Sequence, residues 1–458
     1  MEFDISRLVI SAMLMWGDDA VDVISVNNLK NCALLTNDNI TEFCLKTTLS
    51  SMIPSGYLIY KSYRNHGDLA NAIDAPIIYA NINAAILNDT NNSTDKTIYF
   101  DESFNELCVI NKINIINDTN PDYVFFKLEF ELADILNINS TLTPYSTFSE
   151  NTEYARACDV IKNLFGSANL GHKLNQDSVT IETPIIFTTT ENSSLSSSLQ
   201  YVYRMIFNNE YYDASLKQFI KMRYNYTTKK YEMWDFNKFA TQDALLKKCT
   251  HGDNEVYKND VNMAMIDILK LDDSTNNRIL LLNNGNSVKI PLLSGKKTQY
   301  DFDYVTSKFS ITNHEYPATT FLTPTDNNFG SNFYKKYDPI YGNAMYDKTI
   351  SFNSSFSSSR HESGLYNLID YSIMNTQYVN ITSNVVLRRK AGDTILVKLQ
   401  NSDGSDYTFL DGVYLITEST HKFIRIDSSK GGRPTFNTYV NVYSPFATKN
   451  VDKISKKV

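Results

Sequence analysis

The stretch Val385-Val386-Leu387-Arg388-Arg389-Lys390-Ala391-Gly392-Asp393-Thr394-Ile395-Leu396-Val397-Lys398-Leu399 decides how the chain is read. Two strand-length apolar runs flank a charged centre. Lys390-Ala391-Gly392-Asp393 reads as a turn, because Gly supplies φ > 0 and Asp bonds its own backbone. A polar gap follows, Asn401-Ser402-Asp403-Gly404-Ser405-Asp406, and then a second long run from Asp411 to Phe423. The unit closes with Phe436 to Tyr443. There Phe436, Thr438, Val440 and Val442 alternate with Asn437, Tyr439, Asn441 and Tyr443. A period of two gives one buried face and one wet face. The whole, roughly Tyr378 to Pro445, is expected to be an antiparallel meander. A helix should precede it, since Leu365, Leu368, Ile369 and Ile373 recur at helical spacing after Ser363-Gly364.

The order is therefore helix, short strand, R-R-K-A-G-D turn, strand, long hairpin, then Gly412-x-Tyr414-x-Ile416 with His421-x-Phe423, and a last strand. That order resembles the C-terminal tube-like domain of baseplate hub proteins, the family of the central hub trimer in T-even and other tailed phages. A second stretch resembles the same family. Pro184, Phe187, an apolar-striped segment over Ser194–Phe207 and Tyr231-Glu232-Met233-Trp234-Asp235-Phe236 follow one another as the family's extended segment, helix and strand pair do. Thr183 stands before the Pro where the family pattern has Ile.

The chain of 458 residues suggests several domains. With 42% hydrophobic residues, 25 Phe and 30 Tyr, it can build substantial cores. Its net charge of −8 argues against a general nucleic-acid binder. Cys32, Cys44, Cys108, Cys158 and Cys249 are odd in number and form no C-x-x-C pair, so reduced, mostly buried thiols and synthesis in a cytoplasm are expected. Met1-Glu2-Phe3-Asp4 carries no basic start, and the apolar run Leu8 to Trp16 is short for a membrane span.

Residues 1–142 read as strand-rich: Ile5 to Met15, Val21 to Val26, Ile40 to Leu45, Tyr57 to Tyr60, Ile77 to Ile86, Thr97 to Phe100, Glu106 to Ile116 and Tyr123 to Leu132. In the last, Phe126, Leu128, Phe130 and Leu132 share one face and Lys127, Glu129 and Glu131 the other. Residues 143–236 change character. Thr147 and Glu150 have capping-box spacing before a helix carrying Tyr154, Cys158, Ile161 and Phe165, which stops at Gly166. A second helix carries Leu195, Leu199, Val202 and Ile206, with an extended segment, Thr180 to Thr190, between the two. A hairpin of Gln218 to Tyr224 and Lys230 to Phe236 follows. Residues 237–362 resist assignment and are expected to be an insertion in or before a second barrel. Residues 363–448 form the C-terminal unit, and 449–458 a basic tail.

No catalytic, cofactor-binding or metal-binding constellation stands out. Ser294-Gly295-Lys296-Lys297-Thr298 resembles a P-loop, but Ile290 replaces the upstream Gly and Lys297 the Ser/Thr, so a turn is expected. His314-Glu315 and His361-Glu362 lack a second zinc-helix His. Asp18-Asp19 and Asp272-Asp273 read as loop acids. The resemblance implies that His421 sits at a strand end beside Tyr414 and Ile416, and there it is expected to bond the backbone. Arg388-Arg389-Lys390 is expected to be a solvated turn, or to pair with acids of a neighbouring subunit; phosphate contact is the other reading. Trp234 is expected in a strand core rather than on a sugar platform.

The fold expected is α+β and mostly β: two tube-like antiparallel β-barrel domains with a helix-containing α/β insert between them. The resemblance implies a non-enzymatic virion protein of the tail, a homotrimer joining a sixfold tail tube to a threefold central spike among other baseplate proteins. Its lumen would pass DNA without binding it specifically, and no membrane insertion is implied. Other readings are a glycan-binding host-surface protein, against which the lack of fibrous repeats argues, and a tail-associated peptidoglycan hydrolase, for which no carboxylate pair stands out.

Overall fold

The computed structural model describes residues 8–17, 32–36, 38–63, 77–88, 99–116, 122–147, 155–189, 192–207, 220–235, 295–303, 308–316, 346–351, 379–384, 387, 389–397, 412–425 and 435–443. The protein is mostly β, with a few helices. The N-terminal strands are β1 (Leu8–Gly17), β2 (Cys32–Leu35), β3 (Ile40–Thr48), β4 (Ser55–Tyr63), β5 (Ile77–Asn88), β6 (Tyr99–Ile116) and β7 (Tyr123–Leu132). Next come the helices α1 (Ile135–Asn139), α2 (Ala157–Ser167) and α3 (Leu195–Phe207), with short strands β8 (Ala155–Arg156) and β9 (Pro184–Ile185). A hairpin follows, β10 (Ile220–Asn225) and β11 (Lys230–Asp235), then β12 (Gly295–Asp303), β13 (Lys308–Tyr316) and β14 (Tyr346–Ser351). The chain ends its described strands with β15 (Val379–Asn384), β16 (Thr394–Val397), β17 (Gly412–Ile424) and β18 (Thr435–Tyr443).

One eleven-stranded sheet takes strands from both ends of the chain, in the order β15-β18-β17-β3-β4-β7-β6-β5-β1-β2, with β16 on β17. Every pairing in it is antiparallel. The join is β17 on β3, from Glu418 opposite Thr48 to Ile424 opposite Glu42. The order does not return on itself, so the described strands form no closed barrel.

Alternation explains the sheet's inner face. Leu128, Phe130 and Leu132 are buried on β7, as expected, while Lys127, Glu129 and Glu131 stay half-exposed on the other side. The cross-strand register sets Phe43, Leu58 and Leu128 in one row and Leu45, Gly56 and Phe130 in the next. Gly56 sits where a Cβ would come 2.1 Å from the Cys44 carbonyl oxygen and 2.6 Å from Phe130 Cζ. The close approach of three strands depends on its lacking a side chain.

The segment between β7 and β11 packs on this core. α2 buries Ala157, Cys158, Val160, Ile161, Leu164 and Phe165; α3 buries Leu195, Leu199, Val202 and Ile206. Both are the apolar stripes that helical spacing demands.

Several expectations need correction. Thr147 does not cap α2, whose N-cap is Arg156 with no side-chain bond. The Thr147 hydroxyl instead donates to the Phe187 carbonyl at 3.1 Å and accepts from the Phe187 N–H at 2.8 Å. A local spacing matched, but a tertiary partner took the hydroxyl. Tyr99 and Phe100, from the first of two expected runs, and all of Glu106 to Ile116 belong to a single 18-residue strand, while Thr97 and Ile98 lie outside the described residues. Gly295-Lys296-Lys297-Thr298 opens β12 rather than making a turn. The C-terminal unit is not a simple meander either. β15 pairs with β18 and β16 lies on the other side of β17, a Greek-key order. The expected helix at Leu365 to Ile373, the strand at Val21 to Val26, Glu150, Tyr154, Met263 to Leu271 and Arg278 to Leu282 lie outside the described residues.

Candidate functional site

The charged turn singled out in the sequence lies where three parts of the chain meet. β17 carries β18 along one edge. Its other edge takes β16 over Gly412–Leu415 and β3 from Glu418 onward. Between them the register slips at Ile416/Glu418. Such a bulge frees backbone groups from the ladder, and here each is satisfied from outside. The Thr417 carbonyl accepts the Leu49 N–H at 3.0 Å, the Ile416 N–H donates to the Asp393 carbonyl at 2.9 Å, and the Ile416 carbonyl accepts the Gly392 N–H at 2.8 Å.

Gly392 has φ +88, the left-handed conformation the sequence anticipated. The Asp393 carboxylate accepts the Lys390 N–H at 3.2 Å, closing the turn. The insert hairpin grips it from the other side. Arg223 Nη1 donates to the Ala391 carbonyl at 2.8 Å and to Asp393 Oδ1 at 2.9 Å. The Tyr226 hydroxyl donates to the Leu387 carbonyl and lies 3.2 Å from that of Arg389. From β3, the Thr47 hydroxyl accepts the Ala391 N–H at 3.0 Å.

His421 faces the same turn and is fully buried. Its Nε2 lies 2.8 Å from the Arg389 carbonyl oxygen, which also accepts the Ser419 hydroxyl at 3.1 Å. Burial pushes the imidazole down to about 4, with the Arg389 and Lys390 charges adding to the effect and the Arg389 hydrogen bond opposing it. The ring is therefore neutral at pH 7. A carbonyl can only accept, so Nε2 carries the hydrogen.

Ser419 Oγ also lies 3.4 Å from His421 Nε2, which invites a nucleophile–base reading. The chemistry excludes it. A nitrogen that holds its proton toward a carbonyl cannot take one from the serine, and neither residue is exposed to a substrate. The backbone-bonded His421 is as the sequence suggested, although it lies inside a 13-residue strand rather than at its end.

The solvated reading of Arg388-Arg389-Lys390 is overturned at two of its residues: Arg389 and Lys390 are buried. Lys390 Nζ lies 3.7 Å from Asp393 of its own chain and 5.6 Å from the centroid of the Tyr226 ring. Three adjacent basic residues look solvated in sequence; the hairpin that covers Arg389 and Lys390 lies far away along the chain. Arg388 is outside the described residues. Trp234 is buried in β11, as expected. His314 and Glu315 lie in β13 opposite Lys297 and Lys296. Asp18, Asp19, Asp272, Asp273, His361 and Glu362 are outside the described residues. Of the cysteines, Cys44, Cys108 and Cys158 are buried free thiols, Cys32 is an exposed one, and Cys249 is not described. Arg223 and Tyr226 went unnoticed in the sequence. An arginine and a tyrosine at a hairpin end carry no local signal of a partner so far along the chain.

Among the described residues no group of three or more His, Cys, Asp or Glu is placed to hold a metal ion. No described helix is long and apolar enough to cross a membrane. The far face of the sheet carries charges in pairs: Lys46 with Glu418 at 3.0 Å, Lys422 with Glu42 at 2.9 Å and Lys127 with Glu129 at 2.9 Å.

No protein-family model and no curated protein matches the chain. Among solved structures it is similar to a chain of the half-lidded PdpA–VgrG complex of Francisella, at 12% identity and a TM-score of 0.41, covering 95% of this chain and 58% of that one. The chain thus spans 58% of that neighbour's length. It is also similar to the tail protein from Neisseria meningitidis MC58, at 8% identity and a TM-score of 0.43, covering 96% of this chain and 98% of that one. A third is the 43 kDa tail protein of prophage MuSo2 from Shewanella oneidensis, at 9% identity and a TM-score of 0.44, covering 96% and 99%.

Proposed function

We propose that the chain is a structural protein of a phage tail, a hub that assembles as a homotrimer between a sixfold tube and a threefold spike. The observation that carries this reading is the β17–β3 pairing, which makes one antiparallel wall from strands at both ends of the chain. A wall hydrogen-bonded across its width suits a part that bears load between two assemblies. Each chain would supply two tube-like segments, one built on β1–β7 and one on β15–β18. Three copies then present six segments to the tube and a true threefold to the spike.

The paired charges on the far face fit a surface past which DNA travels. Lysines neutralised by adjacent carboxylates give no basic stripe to hold phosphates. The His421–Ser419 geometry supports a role without covalent chemistry, since the ring nitrogen nearest the serine already holds a proton toward a carbonyl and has no lone pair to act as a base.

The test is the mass of the purified protein by light scattering across a concentration series, alone and with a candidate spike. A trimer that persists on dilution, or forms on the spike, is the expected result. A stable dimer, or a monomer indifferent to the spike, would sink the proposal.

A further inference from the structure

The inner face of β6 runs Phe104, Glu106, Cys108, Ile110, all buried. One carboxyl interrupts an otherwise apolar row, and it faces the seam where the β10–β11 hairpin docks on the sheet. Two carboxyls lie in this seam and they differ. Asp134, just after β7, accepts the Tyr231 hydroxyl at 2.8 Å and the Lys173 ammonium at 2.7 Å. Glu106 has the Tyr224 phenol beside it. Yet neither Glu106 Oε1 nor the Tyr224 hydroxyl has a hydrogen-bond partner of normal geometry, and both are buried.

We infer that Glu106 and Tyr224 form a proton-operated latch, through which the β10–β11 hairpin docks most firmly on the sheet when the Glu106 carboxyl holds a proton. The phenol can donate to either form of the carboxyl, and only the neutral acid has an O–H of its own to give back to the phenol oxygen. An ionised carboxylate here would be stripped of water without full compensation. The charged and titratable groups around it are few. The hairpin brings Lys229, whose ammonium bonds the Asn105 carbonyl at 2.8 Å at the exposed edge, and Tyr224 itself. The 3-10 turn Gly171–Lys173 brings Lys173, which is committed to Asp134. Asp134 adds a repelling negative charge, and the buried Cys108 thiol lies on the same strand.

Burial raises the Glu106 carboxyl above its ordinary range, outweighing Lys229 and the Tyr224 phenol, both of which favour the ionised form. The docked hairpin thus binds the proton more tightly than the released one. Stability from this site is fully present below the ordinary carboxylate value and is lost as pH rises through the raised one.

The experiment is amide hydrogen exchange of residues 220–225 and 230–235 in the full chain from pH 5 to 8, corrected for intrinsic exchange. The expected result is that hairpin opening grows with pH in the wild type, by no more than about tenfold per pH unit for a single proton. Glu106→Gln, which keeps the shape and cannot titrate, should flatten the profile. A flat wild-type profile, or a Glu106→Gln profile parallel to it, overturns the latch. Tyr224→Phe removes the phenol oxygen. It deletes a donor that eases the ionised form, so opening should rise more at pH 8 than at pH 5, and an equal or smaller rise at pH 8 overturns the latch even if Glu106→Gln does not fold.

Discussion

The two halves of the large sheet bury the same face by different means. Across β3, β4 and β7 the inner rows are Phe43, Leu58 and Leu128, then Leu45, Gly56 and Phe130. Followed onto β17, the same rows continue as Phe423 and then His421, and Ser419 comes next, opposite Thr47. The first half is held by apolar packing and close approach. The second is held by hydrogen bonds that converge on one turn. An apolar face tells a strand only which side to bury, and a slip of two residues would keep that side in. His421 and Ser419 can meet the Arg389 carbonyl in a single register only. The N-terminal half therefore supplies bulk burial, and the C-terminal half fixes which strands meet and where.

Three substitutions probe this contrast. The largest effect at neutral pH is expected from Gly56→Ala. The new Cβ would have to displace backbone and an aromatic ring at once, costing about 3 kcal/mol. A denaturant midpoint that hardly moves would mean that the approach of β4 to Phe130 is looser than described. His421→Leu tests the other half. It keeps the bulk and deletes the N–H to Arg389, and about 2 kcal/mol should go at pH 7.

That variant also sharpens the comparison through pH. The native imidazole is held near 4, below its ordinary 6.5, so the unfolded chain takes up the proton first as pH falls. Wild-type stability from this site is present above pH 6.5 and is lost as pH falls toward 4, on the order of 3 kcal/mol in all. Urea titrations of the leucine variant should lack that loss. A parallel loss in both proteins would place the acid sensitivity elsewhere. Arg223→Lys is the mildest. It keeps a charge but not the planar guanidinium, whose Nη1 reaches Ala391 and Asp393 while Nη2 lies 3.8 Å from Glu232, so about 1 kcal/mol is expected. Chemical-shift changes confined to residues 387–393 and β10 would locate it.

The sequence showed much of this and missed the rest for definable reasons. The period of two in Tyr123–Leu132 and the 3.6-residue stripe of Leu195, Leu199, Val202 and Ile206 report burial directly, and both were legible. The φ > 0 at Gly392 was legible because few residues other than Gly adopt it. The pairing of β17 with β3 was not, because periodicity states that a strand has a buried face and says nothing of its neighbour. The burial of Arg389 and Lys390 escaped for the same reason, as their shelter is the β10–β11 hairpin. Thr147 shows the converse error, a local motif that matched while its hydroxyl was bound across the insert.

The turn's contact with β3 joins residues 344 positions apart in the chain. At ordinary synthesis rates, the ribosome takes roughly 20 to 70 s to cover that distance. Until then the β3 edge that will receive β17 has no partner from its own chain, and an open strand edge is a template for any other strand nearby. When many copies are made at once, each nascent chain offers that edge to its neighbours before its own C-terminal strand exists. The yield of assembled protein should therefore depend on how crowded its synthesis is, and slower, cooler expression should favour it.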